Sequence, residues 1–200
     1  MYPEIVKLDI DSQIDGFETM VLGRQLDCFS DIALEAQEKK QAYLDEQSNN
    51  FDPEHSDEGI IAENAYFVEI AYTSMWQSLK NDFLNSAAVS IFHMFEKQKK
   101  GFFGTDISGD ISARLLADGY DINQCPEWNL LNRELRTVAN AVKHGPDSGA
   151  AKRLKQDFPH RIDREHAFVD EPALRRYIVA LRAFWERVLR GKIVLEETSI

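Results

Sequence analysis

Apolar residues recur at spacings of three and four from Ile60 to about Lys100, and this run sets the fold class. It is longer than a typical globular helix, so the spacing predicts either a long hairpin arm or a break around Asn81–Asn85. A second helical pattern covers residues 17–47, with Val21, Leu22, Leu26, Phe29, Ile32, Ala33 and Ala36 in step. Between the two, SNNFDPEHSDEG at 48–59 reads as a loop. Three glycines in GFFGTDISGD end the long run, and a short helix is expected over 108–118. Pro126 opens the next helix and Gly145-Pro146 closes it. After a short helix near 148–156, FPHRIDREHAFVDEP lacks helical period and reads as loop or a small β excursion. Asp170 and Pro172 supply an N-cap and a first-turn proline for a last helix over 172–190. The sum is an all-α chain, an antiparallel helical bundle with a long helical hairpin, in which residues 1–200 form a single helical domain.

Composition narrows the function classes. Hydrophobic residues make up 44% of 200 residues and charged residues 28%, which is globular and not disordered. Cys28 and Cys125 have no CxxC or CxxH neighbour, so a zinc ribbon is excluded and a reducing compartment is expected. Apolar runs fall short of the roughly 18 residues a membrane span requires. MYPEIVKLDIDSQ lacks the basic-then-apolar order of a secretory signal. The expectation is a soluble, cytoplasmic protein that does not enter the membrane.

A net charge of −11 argues against a nucleic-acid partner, but the charge is unevenly distributed. Residues 1–100 hold 19 acidic and 8 basic side chains, whereas residues 101–200 hold 15 of each. Within 127–164 the count is 8 basic to 5 acidic. An acidic N-terminal helical extension therefore precedes a locally basic segment. Acidic residues that simply coat solvated helix faces would give the same N-terminal balance.

The basic segment has internal order. At about 100° per residue, Leu131, Leu135, Val138 and Val142 fall on one face. Arg133, Arg136, Asn140, Lys143 and His144 gather on the opposite face, a stripe without a carboxylate. Arginine offers phosphate a planar donor fork and lysine a compact charge. Histidine transfers protons near neutral pH, and asparagine orients a hydroxyl or an imidazole. A purely mechanical role is open beside this one, because Lys143 and His144 precede Gly145 and suit the negative end of a helix.

A second cluster lies in NSAAVSIFHMFEKQKK, residues 85–100, where His93 and Glu96 are one turn apart. An imidazole beside a carboxylate suits acid–base chemistry, and it equally suits a half-buried pair at a helix contact. No Gly-rich phosphate loop and no GxSxG elbow occurs. His55, Glu58 and Glu63 are the remaining grouping for a metal-dependent phosphohydrolase, although HSDEG reads more simply as a solvated loop. No cofactor or metal is expected.

The pairing of NSAAVSIFHMFEKQ with a later ELRTVANAVKHGPDSGAAKRL resembles the HEPN superfamily of α-helical domains, in particular bacterial members with an Asn-x-x-Lys-His-Gly element. The resemblance covers about residues 60–190 and rests on architecture plus these two short motifs. It implies a metal-independent endoribonuclease in a toxin–antitoxin or antiviral-defence setting. It further implies a homodimer with both motifs facing one RNA, and a cognate antitoxin or defence protein as partner. The family's Arg and His usually flank a spacer of four to six residues; here the seven residues 137–143 separate Arg136 from His144, and Thr137 stands where Asn or Asp is frequent.

Carried over residue by residue, the resemblance makes His144 the general base or acid on the 2′-hydroxyl or the leaving 5′-oxygen. Arg136 and Lys143 would stabilise charge on the scissile phosphate, and Asn140 would orient His144 or the sugar. His93 and Glu96 would form a second acid–base pair if their helix faces the stripe. The competing expectation is a non-catalytic HEPN-like module binding a protein or RNA, with Tyr66, Phe67, Tyr72 and Trp76 as a protein-facing surface.

Overall fold

The computed structural model describes residues 3–197, with the side chains of residues 4–190. Eight α-helices follow in chain order among these residues. They are α1 (Pro3–Phe17), α2 (Ile32–Asn49), α3 (Glu58–Phe103), α4 (Ser108–Ala117), α5 (Pro126–Asn129), α6 (Arg136–His144), α7 (Gly149–Asp157) and α8 (Glu171–Glu197). The only described strands are β1 (Ile162–Asp163) and β2 (His166–Ala167), an antiparallel pair turned by Arg164 and Glu165. Both turn residues have positive φ, 44° and 73°, the backbone of a two-residue hairpin loop. The all-α class holds, and the β excursion falls in the segment that lacks helical period.

One expectation about helix continuity needs correction, and of the two alternatives for the long run the unbroken one is found. The pattern at 17–47 is not one helix. A π-helical stretch at Glu18–Gln25 gives way to a 3-10 turn at Leu26–Phe29, and α2 starts only at Ile32. Ser30 ends the turn by sending both its backbone N–H (3.0 Å) and its hydroxyl (2.8 Å) to the Asp27 carbonyl. The long run, in contrast, has no break at Asn81–Asn85, and α3 continues for 46 residues. Its asparagines do not compete for their own backbone, because their amides bond elsewhere. Asn81 Oδ1 accepts from Gln77 Nε2 at 3.4 Å and Asn85 Nδ2 donates to the Ala167 carbonyl at 2.9 Å.

The chain divides into two compact units, Leu22–Asp82 and Met1–Val21 with Phe83–Ile200. In the first, α2 packs antiparallel on the first half of α3. Lys40 Nζ meets Glu69 Oε2 at 2.8 Å, the Tyr72 hydroxyl donates to Glu35 Oε2 at 2.6 Å, and Phe29 and Trp76 meet edge to face. Tyr72 and Trp76 are therefore engaged within the hairpin, and of the four aromatic residues expected on its surface only Tyr66 and Phe67 are exposed.

The second unit is built around α8. Asp170 caps it by accepting from the Ala173 N–H at 3.0 Å, as the Asp-Glu-Pro sequence leads one to expect. Leu174, Tyr177, Ile178, Leu181, Phe184, Trp185 and Val188 then line one buried face. Phe95 of α3 and Trp128 of α5 pack on Phe184 with ring centroids 5.4 and 5.6 Å away. The Trp185 indole N–H is satisfied by Gln98 Oε1 at 2.8 Å. Ile10 and Ile14 of α1 are buried as well, and Arg182 of α8 pairs with Asp15 of that helix and with Glu18 just beyond its end. Among the described residues no helix is long and apolar enough to cross a membrane.

Candidate functional site: an arginine groove between α6 and α7

The helical segment that starts at Pro126 is not regular throughout. Leu130–Leu135 forms a π-helical stretch between α5 and α6, and such stretches bring an extra residue into the turn. Leu131 and Leu135 stay in the core, and Glu134 is drawn in with them at 7% exposure. From Arg136 onward α6 is a regular helix with Val138, Ala139 and Ala141 buried. Gly145 ends it at φ 81° and ψ 175°, a backbone open to glycine alone. Ser148 then starts α7, accepting from the Ala151 N–H at 3.1 Å while its hydroxyl donates to the Gly145 carbonyl at 2.7 Å.

This short connection folds α7 back along α6, and a groove of about 430 Å³ runs between their outer faces. The α6 side supplies Asn132, Arg133, Arg136, Thr137 and Asn140. The α7 side supplies Ala150, Arg153, Asp157 and Phe158. The volume lies within the usual range for ligand pockets. Three arginines thus line one cavity with a single acidic residue, Asp157. Among the described residues none of Arg133, Arg136 and Arg153 has an ion pair, whereas Arg161, Arg175, Arg176, Arg182 and Arg187 each have one. Like charges held side by side without counter-charges favour an incoming anion, and the fork geometry of arginine favours a phosphate.

The residues singled out from the sequence separate into three positions. Arg136 and Asn140 line the groove together with Arg133. Lys143, one turn further on, lies outside the lining with its Nζ 5.9 Å from the centre of the Phe92 ring. His144 is the exposed last residue of α6 and also lies outside the lining; among the described contacts its side chain makes no hydrogen bond or ion pair. On α3, His93 Nδ1 stands 3.3 Å from Glu96 Oε2, with the imidazole about half exposed. Phe92, adjacent in the chain, brings this pair and Lys143 into one neighbourhood beside α6.

Arg153, Asp157 and Phe158 have no counterpart in the sequence reading. Ala150, Arg153 and Asp157 follow one another at three and four residues, so the shared face of α7 was available from periodicity. That this face meets Arg136 depends on the tight turn at Gly145. Among the described residues no group of three or more His, Cys, Asp or Glu side chains converges as metal ligands would. His55 instead pairs with Asp52, its Nδ1 2.9 Å from Oδ2.

No protein-family model, curated protein or solved structure matches this chain.

Proposed function

We propose that this chain binds single-stranded RNA, with the α6–α7 groove gripping consecutive phosphates. The observation that carries the reading is the convergence of Arg133, Arg136 and Arg153 on one cavity without ion-pair partners among the described residues. The α6 side of the groove is nine residues long between Asn132 and Asn140, or about 13 Å at the helical rise. That length suits a short stretch of strand and not a long duplex. Asn140 stands among the arginines as a donor and acceptor for a 2′-hydroxyl, the group that separates RNA from DNA. Thr137, whose hydroxyl donates to the Arg133 carbonyl at 2.7 Å, adds an acceptor, and Asn132, whose Oδ1 accepts from Ser108 at 2.8 Å, adds an amide N–H. The −11 total charge agrees with a local grip, since the rest of the surface repels a polyanion.

Metal-independent cleavage of the HEPN type is the second reading, and one observation favours it. His93 and Glu96 of α3 form a half-exposed imidazole–carboxylate pair, and the Lys143 ammonium of α6 lies 5.9 Å from the ring centre of Phe92, the residue before His93. In such a cleavage the 2′-oxygen attacks the adjacent phosphorus and the 5′-oxygen leaves, giving a 2′,3′-cyclic phosphate. One group removes the hydroxyl proton and another protonates the leaving oxygen. A two-fold dimer would set two grooves on one strand.

One experiment separates the readings. A labelled RNA octamer is titrated in EDTA over a salt series, and the same samples are resolved on a gel. Binding that weakens with salt and with Arg136→Ala supports the groove. Cleavage by wild type that is lost in His93→Ala or His144→Ala supports catalysis and identifies its imidazole. Binding without cleavage leaves a binding module, and no binding rejects the proposal.

A further inference from the structure

The groove does not stop at Arg133. A second cavity of about 410 Å³ adjoins it and shares Arg133, Asp157 and Phe158 with it. Asn129, Leu130 and Glu134 complete its lining. Its chemistry differs from that of the arginine groove, since it offers two carboxylates, one aromatic ring and one guanidinium plane.

Glu134 is the distinctive member. It is 93% buried by its 7% exposure, yet it lines the cavity. All of its described donors arrive at one oxygen: Arg161 Nε at 2.9 Å, the Tyr177 hydroxyl at 2.8 Å and Arg176 are bound to Oε1. His160 Nε2 stands 3.8 Å from that same oxygen. Among the described residues no donor reaches Oε2. A carboxylate that lines a cavity and is held rigid by three donors on one oxygen keeps its other oxygen as an acceptor for an N–H or O–H.

We propose that this second cavity is a nucleobase pocket that selects guanine, with Phe158 and the Arg133 guanidinium against the ring faces and Glu134 and Asp157 accepting from its N1–H and 2-amino group. The inference rests on the reading of the neighbouring groove as a phosphate site, with Arg133 placed to serve both. Splayed bases are held on aromatic rings and guanidinium planes and read along their Watson–Crick edge. Of the four RNA bases, guanine alone presents two adjacent donors on that edge. Adenine and cytosine set their amino group beside an acceptor nitrogen, and uracil sets its N–H between two carbonyls. A carboxylate attracts the first arrangement and repels the acceptors of the others. Arg161 and Arg176 balance the charge of Glu134, so the carboxylate persists in the pocket without a metal.

The test compares an eight-nucleotide oligouridine with the same strand carrying one central guanine, adenine or cytosine, by fluorescence anisotropy on the full chain. The guanine strand is expected to bind about tenfold tighter than the others, within the range of a two-point base contact. Replacing that guanine by inosine, which lacks the 2-amino group, should remove most of the gain. Glu134 also supports the fold, so Asp157→Asn and Phe158→Leu carry the test, and both should bring the guanine-to-uracil ratio toward one. Equal affinity for all four strands, with Arg136→Ala weakening each, would overturn the base pocket and leave the phosphate groove standing. A guanine preference that survives both variants, or a preference for adenine or cytosine, would overturn it too. Failure of every strand to bind rejects the groove and the pocket together.

Discussion

Arg161 Nε lies 2.9 Å from Glu134 Oε1, and both side chains are more than nine-tenths buried. Burial alone would raise the Glu134 pKa. Hydrogen bonds from Arg161 and Tyr177 and the charges of Arg176 and Arg161 outweigh it and hold the group below 4.5. Glu134→Ala would leave the buried Arg161 guanidinium with Asp170 alone, 3.2 Å from its Nη1, and removing one partner of a buried pair costs about 3–5 kcal/mol. We expect a loss of that size in urea unfolding at pH 7. The folded pKa is depressed, so the stabilisation is present above the ordinary carboxylate value and is lost as pH falls through the folded one. The gap between wild type and Glu134→Gln should therefore narrow below pH 4.5. A gap of constant size down to pH 2 would mean that the carboxylate charge contributes nothing.

The groove arginines give a prediction about salt. Each phosphate contact that is removed should lower the slope of log K against log salt by about 0.7 for a single strand. Arg136→Ala and Arg153→Ala should each flatten the slope by that amount and weaken binding about three- to tenfold, whatever the base sequence. Arg175→Ala is the control, since its guanidinium is already held by Glu171 at 2.7 Å. If Arg175→Ala changes the slope as much as Arg136→Ala does, binding is a diffuse effect of surface charge and the groove has no special part in it.

Some of this site is legible in the sequence because α6 is a regular helix. Arg136 and Asn140 are four residues apart and share a face in any α-helix, and they share the groove. The same wheel carries the stripe on to Lys143 and His144, but the groove lining ends at Asn140, one turn before the Gly145 turn. Glu134 is illegible for two reasons. It lies in a π-helical stretch where 100° per residue does not apply, and its partners Arg161, Arg176 and Tyr177 are 27 to 43 residues away in the chain. Helix ends marked by Pro126, Gly145 and Asp170 are legible because each relies on local backbone chemistry. The continuity of α3 through Asn81 and Asn85 is not, because it depends on where two amides find partners, one of them 82 residues away.

The Gly145 turn sets the position of α7 against α6. An added Cβ there would meet no neighbour within 4 Å, so the cost of Gly145→Ala comes from the backbone alone. At φ 81° and ψ 175° an alanine is strained by about 1–3 kcal/mol. The chain would relieve that strain by opening the turn, which separates Arg136 from Arg153. We expect Gly145→Ala to lower the melting temperature and also to weaken RNA binding. Ser148→Ala removes the α7 cap without touching Gly145 and should cost about 1 kcal/mol. If Gly145→Ala melts early and still binds RNA at wild-type strength, the groove does not depend on this turn.

Among the described residues Lys99 is the other buried charge, at 2% exposure, with its ammonium 4.6 Å from the centre of the Phe95 ring and 5.5 Å from that of Trp128. Burial lowers its pKa to about 8 and Arg136 pushes the same way, while Glu96 and Asp106 resist. The unfolded chain binds this proton up to 10.5 and the folded chain releases it from about 8, so stability rises with pH between those values. At pH 7 the ammonium is charged in both states and its full burial penalty applies. Lys99→Met keeps the length of the side chain and removes the charge, and it should stabilise the protein at pH 7 by about 1–3 kcal/mol, the ring contacts offsetting part of the gain. The advantage should shrink toward pH 10, where the wild-type lysine is neutral in the folded state. The measurement is the difference in melting temperature between the two proteins at pH 7 and at pH 10, which cancels every group they share. A Met variant less stable than wild type at pH 7 would show that the two rings hold the ammonium better than water does.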